Sequence, residues 1–150
     1  MSRDNLIIGR VSLKHHFYHV TTCTANRLPF FTNLQCGRLL VNEMQRLHYQ
    51  QQLKTVTWVV MPDHLHWLFQ LTANNSLSTV MKTLKGRSAN AINCYNPAIK
   101  FAWQRGFYDQ GIRHEANLKQ VSRYIVANPL RAGLVANVAN YALWDSIYLA

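Results

Sequence analysis

The chain has 150 residues, 49% of them hydrophobic and 15% charged, which suits one domain spanning residues 1–150 with a real core. That composition excludes an intrinsically disordered chain, and no stretch reaches the roughly 20 apolar residues a membrane-spanning helix needs. Sixteen Lys and Arg against six Asp and Glu give a formal net charge of +10, an excess that points to a polyanion, most commonly nucleic acid.

Residues 16–22 are rich in aromatic and β-branched types and read as a strand, and Asn26 to Asn33, with Pro29, reads as a loop. From Leu34 to about Gln51, Cys36, Leu40, Met44 and Leu47 recur at amphipathic helix spacing. Leu53 to Met61 reads as a second strand, with Val56, Trp58 and Val60 on one face and Thr57 and Val59 on the other. Pro62-Asp63 is turn chemistry, so His64 to Leu71 is expected to pair back as a third strand.

Ser76 is a candidate N-cap for a helix reaching about Cys94, with Leu77, Val80, Met81, Leu84, Ala91 and Ile92 facing inward. A fourth strand is expected within 99–108, around Phe101 to Trp103. Asn117 is expected to cap a further helix with Leu118, Val121 and Ile125 as its stripe, ended near Asn128 by Pro129. The order β-α-β-β-α-β-α predicts an α+β sandwich of ferredoxin-like topology, an antiparallel sheet with helices packed mainly on one face.

The sharpest local feature is Met61-Pro62-Asp63-His64-Leu65-His66-Trp67-Leu68-Phe69. Alternation along a strand puts His64 and His66 on one face, where two imidazoles can chelate a divalent cation or can simply pack and hydrogen-bond. In the helix 117–127, Tyr124 and Asn128 stand four residues apart and share a face. Two imidazoles and a carboxamide make an incomplete metal site with positions left for phosphate oxygens. A tyrosine beside such a site can act as a nucleophile; the plain alternatives are a core-edge aromatic and a helix terminator. Lys85-Gly86-Arg87-Ser88 is not a phosphate-binding P-loop, no Gly-x-Ser-x-Gly elbow occurs, and no acidic pair stands out.

Met61 to Phe69 resembles the His-hydrophobe-His motif of the single-tyrosine HUH transposases. Trp103-Gln104-Arg105-Gly106-Phe107-Tyr108-Asp109 with Ile112-Arg113, and Tyr124-Ile125-Val126-Ala127-Asn128-Pro129 with Gly133, resemble the REP-associated tyrosine transposase branch. Phe17 to Thr21 and Arg27 to Phe31 fit as well, so the resemblance runs from about Gly9 to Trp144-Asp145-Ser146.

The resemblance implies His64, His66 and Asn128 as ligands of Mg²⁺ or Mn²⁺, and Tyr124 as nucleophile. Relatives often place glutamine at the third-ligand position, where this chain has the shorter Asn128. It implies cleavage and rejoining of single-stranded or hairpin DNA through a 5′-phosphotyrosine, as in transposition linked to REP-type palindromes. A phenol has a pKa of about 10, so at neutral pH it needs assistance to attack phosphorus. The tyrosyl ester keeps the phosphodiester's energy, so rejoining needs no nucleotide triphosphate.

Arg10, Lys14, Arg105 and Arg113 are the expected DNA contacts. Cys23, Cys36 and Cys94 lack paired spacing and no signal-peptide core follows Met1, so a cytoplasmic, nucleoid-associated protein without a membrane partner is expected. Monomer and homodimer, and hence a site within one chain or across two, both remain open. Two rival readings stand beside the transposase. One is a non-catalytic single-strand-binding module stacking bases on Phe17, His19 and Trp67. The other is a zinc hydrolase using His64 and His66, with His19 as a third ligand.

Overall fold

The structure, a computed structural model, describes residues 16–149. Arg10 and Lys14 therefore lie outside the described residues. β1 (Phe17–Cys23) leads through two short 3-10 turns to α1 (Leu34–Tyr49), where the Asn33 side chain accepts from the Gln35 and Cys36 amides. β2 (Leu53–Met61) and β3 (His64–Leu71) form the expected hairpin about Pro62-Asp63. α2 (Leu77–Tyr95) starts at Ser76, whose hydroxyl accepts from the Thr79 amide. β4 (Tyr108–Ile112), α3 (Leu118–Val126), α4 (Asn128–Arg131) and β5 (Trp144–Ser146) follow.

The sheet runs β4-β1-β3-β2-β5 with every neighbouring pair antiparallel. This is the expected α+β order, extended by β5 on the outer edge of β2. Alternation decides the faces. Val20, Leu65, Trp67 and Phe69 point toward α1 and α2, and with Leu40, Met44 and Leu84 form the larger core. His64, His66 and Leu68 point the other way. There Val59, Met61, Leu68 and Ile112 pack under Leu118 and Ile125 of α3 in a second cluster. The two long helices share one face, and α3 lies on the face that carries the histidines. No helix among the described residues is long and apolar enough to cross a membrane.

Several local expectations need correction. A bulge between Thr55 and Thr57 shifts the register, so Val56 joins Val59 and Met61 instead of facing with Trp58 and Val60. The fourth strand is Tyr108–Ile112, while Trp103 makes only an isolated bridge to Thr24. Trp103 is instead held in the core by Phe31 and Phe101, and its indole N–H donates to Ser88 at 3.0 Å. Ser88 is a buried position on α2 that the stripe did not include, while Ala91 is only half-buried.

Asn117 is already helical in backbone angle and its side chain caps nothing. Pro129 does not stop the chain's helical course: α3 breaks at Ala127, and Pro129 sits in the first turn of α4, where its missing N–H costs nothing. β5 has three residues, too few for a period-two pattern to reveal it.

Candidate active site

β1 and β3 pair so that Thr21 stands opposite His66 and Cys23 opposite His64. Tyr108 of β4 stands opposite Thr21 on its other side, and Gln110 opposite His19. One sheet face thus carries His64, His66, His19 and Thr21, with Tyr108 and Gln110 along its β4 edge.

Each motif histidine has one ring nitrogen engaged. His64 Nδ1 lies 2.7 Å from Asp63 Oδ1, and Arg27 Nε donates to the other carboxylate oxygen at 2.9 Å. A carboxylate can only accept, so His64 carries its proton on Nδ1 and presents the lone pair of Nε2. Burial alone would raise the Asp63 carboxyl, but the hydrogen bonds from His64 and Arg27 outweigh it and hold it below the ordinary range. His66 Nδ1 lies 3.0 Å from both Thr21 Oγ1 and His19 Nε2. With Nδ1 protonated and donating, His66 also presents Nε2. The His64 and His66 ring centroids are 5.0 Å apart.

Both inner rings are neutral at pH 7. Burial pushes His66 down to about 3, helped by the nearby charges of His19, His64, Arg131 and Arg27. Burial alone pushes His19 down to about 4. A neutral imidazole is the form that binds metal.

Tyr124 reaches this face from α3. It lines an open trough of about 440 Å³ with His19, Thr21, His66, Gln110, Gln120 and Val121. The residue is 55% exposed, open to a large substrate. Tyr124 and His66 of the same chain both line this trough. α3 is held to the sheet by a buried hydroxyl network: Thr57 Oγ1 donates to Ser122 Oγ at 2.6 Å and lies 2.8 Å from Ser146 Oγ. Ser122 stands two residues before Tyr124, so this network sets the rotation that turns Tyr124 to the shoulder of the helix.

Asn128 lies one turn beyond Tyr124, and its Nδ2 donates to the Ile125 carbonyl at 2.9 Å and the Tyr124 carbonyl at 3.3 Å. Its amide nitrogen is thus spent on the helix end, leaving Oδ1 as its acceptor, and Asn128 is not among the residues that line the trough with Tyr124 and His66. Among the described residues, no group of three or more His, Cys, Asp or Glu is arranged to hold a metal. A cation held by His64 and His66 would complete its shell with an amide oxygen, substrate phosphate or water. That donor set suits a divalent ion that retains open positions.

Arg113 lies on a second trough that joins the first, whereas Arg105 lies beside the turn before β4, near Thr21 and Tyr108. The structure also shows three groups that the motifs did not single out. Arg131 lies over Tyr124, with its Cζ 4.2 Å from the ring centroid. Gln120 shares the trough one turn before Tyr124. Cys23 faces the same side as His64 and accepts from Arg27 Nη1 at 3.2 Å. Sequence distance hid these, although Gln120 keeps the same four-residue spacing from Tyr124 that singled out Asn128.

Of the rival platforms, Trp67 is completely buried on the opposite face and cannot stack a base. His19 supports His66 ring to ring, which makes it a partner of that imidazole.

The sequence profile of the family described as "Transposase IS200 like" matches residues 12–128. The chain belongs to that family and is a transposase by class. It is 27% identical over 123 residues to the REP-associated tyrosine transposase of Escherichia coli (strain K12), covering 75% of this chain and 72% of that one. It is 29% identical over 83 residues to the ISDra2 transposase TnpA of Deinococcus radiodurans, over 55% of this chain and 59% of the relative. In three dimensions it matches a REP-associated tyrosine transposase bound to a REP hairpin, with a TM-score of 0.74 and 21% identity, over 90% of this chain and 79% of that one. The resemblance read from the motifs holds in sequence and in fold.

Proposed function

We propose that this transposase cuts and rejoins single-stranded DNA at the foot of a hairpin, with Tyr124 as nucleophile. The observation that carries the reading is the shared trough, in which the phenol of Tyr124 opens on the same cleft as His66. Support for a hairpin substrate comes from the +10 charge and from the relative whose structure is bound to a REP hairpin.

The reaction follows from these parts. The Tyr124 oxygen attacks the scissile phosphorus, a P–O bond to tyrosine forms, and the bond to the 3′ oxygen breaks. The phenol gives up a proton and the departing strand leaves as a 3′-OH. A Mg²⁺ or Mn²⁺ ion held by His64, His66 and Asn128 would neutralise the phosphate's charge and favour in-line displacement. Asp63 keeps the His64 imidazole in the tautomer that offers Nε2, and a proton on His66 Nδ1, donated to Thr21 or His19, would leave Nε2 of His66 open as well. Arg131, beside Tyr124, is in a position to share the charge developing on the phosphoryl oxygens. Rejoining is the reverse attack by a 3′-OH on the phosphotyrosine.

The test uses a hairpin oligonucleotide with a single-stranded foot, labelled at its 3′ end. With Mn²⁺ present, label should travel with the protein on a denaturing gel. A free labelled fragment bearing a 5′-phosphate and no adduct would assign the cleavage to water and exclude tyrosine chemistry.

A further inference from the structure

The trough beside Tyr124 does not end there. A second concavity, of about 380 Å³, shares Gln110, Gln120 and Val121 with the first and continues past Ile112 to Arg113, His114 and Asn117. Together they form one channel between β4 and α3. Beside the tyrosine its polar lining is the two carboxamides with His19, Thr21 and His66, no carboxylate is among the lining residues, and Arg113 and His114 stand at the far end. Neither glutamine's carboxamide has a hydrogen-bond partner among the described residues.

We propose that this channel holds the nucleotides next to the scissile phosphate and that Gln110 and Gln120 select the base there. The inference rests on the single-strand cleavage reading above and adds a site for sequence choice. Three observations carry it.

The first is position. Gln120 and Tyr124 are four residues apart on α3, about 6 Å along its axis, so a base beside Gln120 is a near neighbour of a phosphate at Tyr124. Gln110 stands opposite His19, which touches His66, so it approaches the same point from the sheet side.

The second is chemistry. A carboxamide offers a donor and an acceptor side by side, the pair that matches adenine N6 and N7. Phosphate-holding groups such as Arg113 carry no such information, because phosphates position and base edges specify. The two amides lie between the His66 cleft and Arg113, so one channel offers base-edge groups and a phosphate-holding cation at different points.

The third is shape. Val121 and Ile112 give the channel an apolar wall against which the flat face of an unpaired base can lie, while its edge remains open to the glutamines.

The experiment measures binding, so it does not depend on cleavage. Hairpins with single-stranded feet, carrying each of the four bases at the positions around the cut site, are titrated with the full chain by fluorescence anisotropy. The unmodified protein should prefer adenine at one position by about tenfold, the range of one good bidentate pair. Gln110→Ala or Gln120→Ala should reduce that preference to within about threefold. Gln120→Glu should move it toward cytosine, whose amino group donates to a carboxylate. Both side chains are exposed, so circular dichroism should stay unchanged. Arg113→Ala should instead weaken all four DNAs equally and lower the salt slope by about 0.7. No base preference in the unmodified protein, or one unaltered in all three glutamine variants, overturns the proposal. A glutamine-dependent preference in a protein that never forms an adduct would uphold the channel and reject the cleavage reading.

Discussion

The guanidinium of Arg131 lies over the ring of Tyr124, 4.2 Å from its centroid, and donates through Nη2 to the Tyr124 carbonyl at 2.9 Å. The carbonyl bond ties α4 to the last turn of α3, and the ring contact restrains the phenol. At an exposed site a cation–π contact contributes about 0.5–1 kcal/mol, enough to bias a ring's orientation but not to fix it alone. Its larger role is expected at the phosphate. Arg131→Ala should slow adduct formation about a hundredfold, the scale of losing one charge-stabilising donor. Arg131→Lys should recover part of the rate, and the melting temperature should hardly move. Single-turnover kinetics on a hairpin substrate check this.

His64→Ala and His66→Ala should each abolish adduct formation, as should EDTA acting on the unmodified protein. The site has few protein donors, so losing one imidazole leaves too little to hold a hard cation. Calorimetric titration with Mn²⁺ reads ligand loss directly, and circular dichroism separates it from misfolding. Asp63→Asn should weaken Mn²⁺ binding roughly ten- to a hundredfold while keeping the ligands, because outer-shell partners orient the ring.

Thr57→Val should destabilise the protein by about 1–3 kcal/mol, since it strips a partner from the buried hydroxyls of Ser122 and Ser146. Thr57→Ser keeps the oxygen and should cost less. Chemical denaturation of the three proteins gives the ordering. The adduct rate of Thr57→Val should also fall, because the same network orients α3.

Much of this was legible in the chain. His64 and His66 alternate along a strand whose turn is marked by Pro62-Asp63, and period two places both on one face without knowledge of the fold. Period alone sets Tyr124 on the shoulder of its helix, whereas Asn128 lies past the break at Ala127. What stayed hidden depends on tertiary register. The Thr55–Thr57 bulge that turns Val56 over, and the β1–β3 pairing that brings His19 and Thr21 to His66, leave no periodic trace. The Trp103–Asp109 block reads as one motif, yet Trp103, Phe107 and Asp109 pack inward while Arg105 and Tyr108 face solvent. Its aromatic start suggested a strand because core-packing residues and strand residues are the same types.

Binding to single strands should weaken with salt at about −0.7 per phosphate neutralised, so roughly five contacts give a log–log slope of about −3.5. A hairpin with a single-stranded foot should bind more tightly than unstructured DNA of equal length, and the excess should be less salt-sensitive. Arg105→Ala and Arg113→Ala should each lower the slope, as should changes at Arg10 and Lys14. Anisotropy titrations at several salt concentrations measure both quantities; equal affinities and slopes for the two DNAs would reduce the protein to a general single-strand binder.

The central claim is that the Tyr124 oxygen becomes joined to DNA. Tyr108 provides the internal comparison, being exposed and opposite Thr21, which itself faces His66. Adduct formed with Mn²⁺ should be digested and the nucleotide-bearing peptide sequenced by mass spectrometry. The account predicts the modification on Tyr124, no adduct from Tyr124→Phe, and a normal yield from Tyr108→Phe. Modification of Tyr108, or an undiminished adduct from Tyr124→Phe, would contradict it.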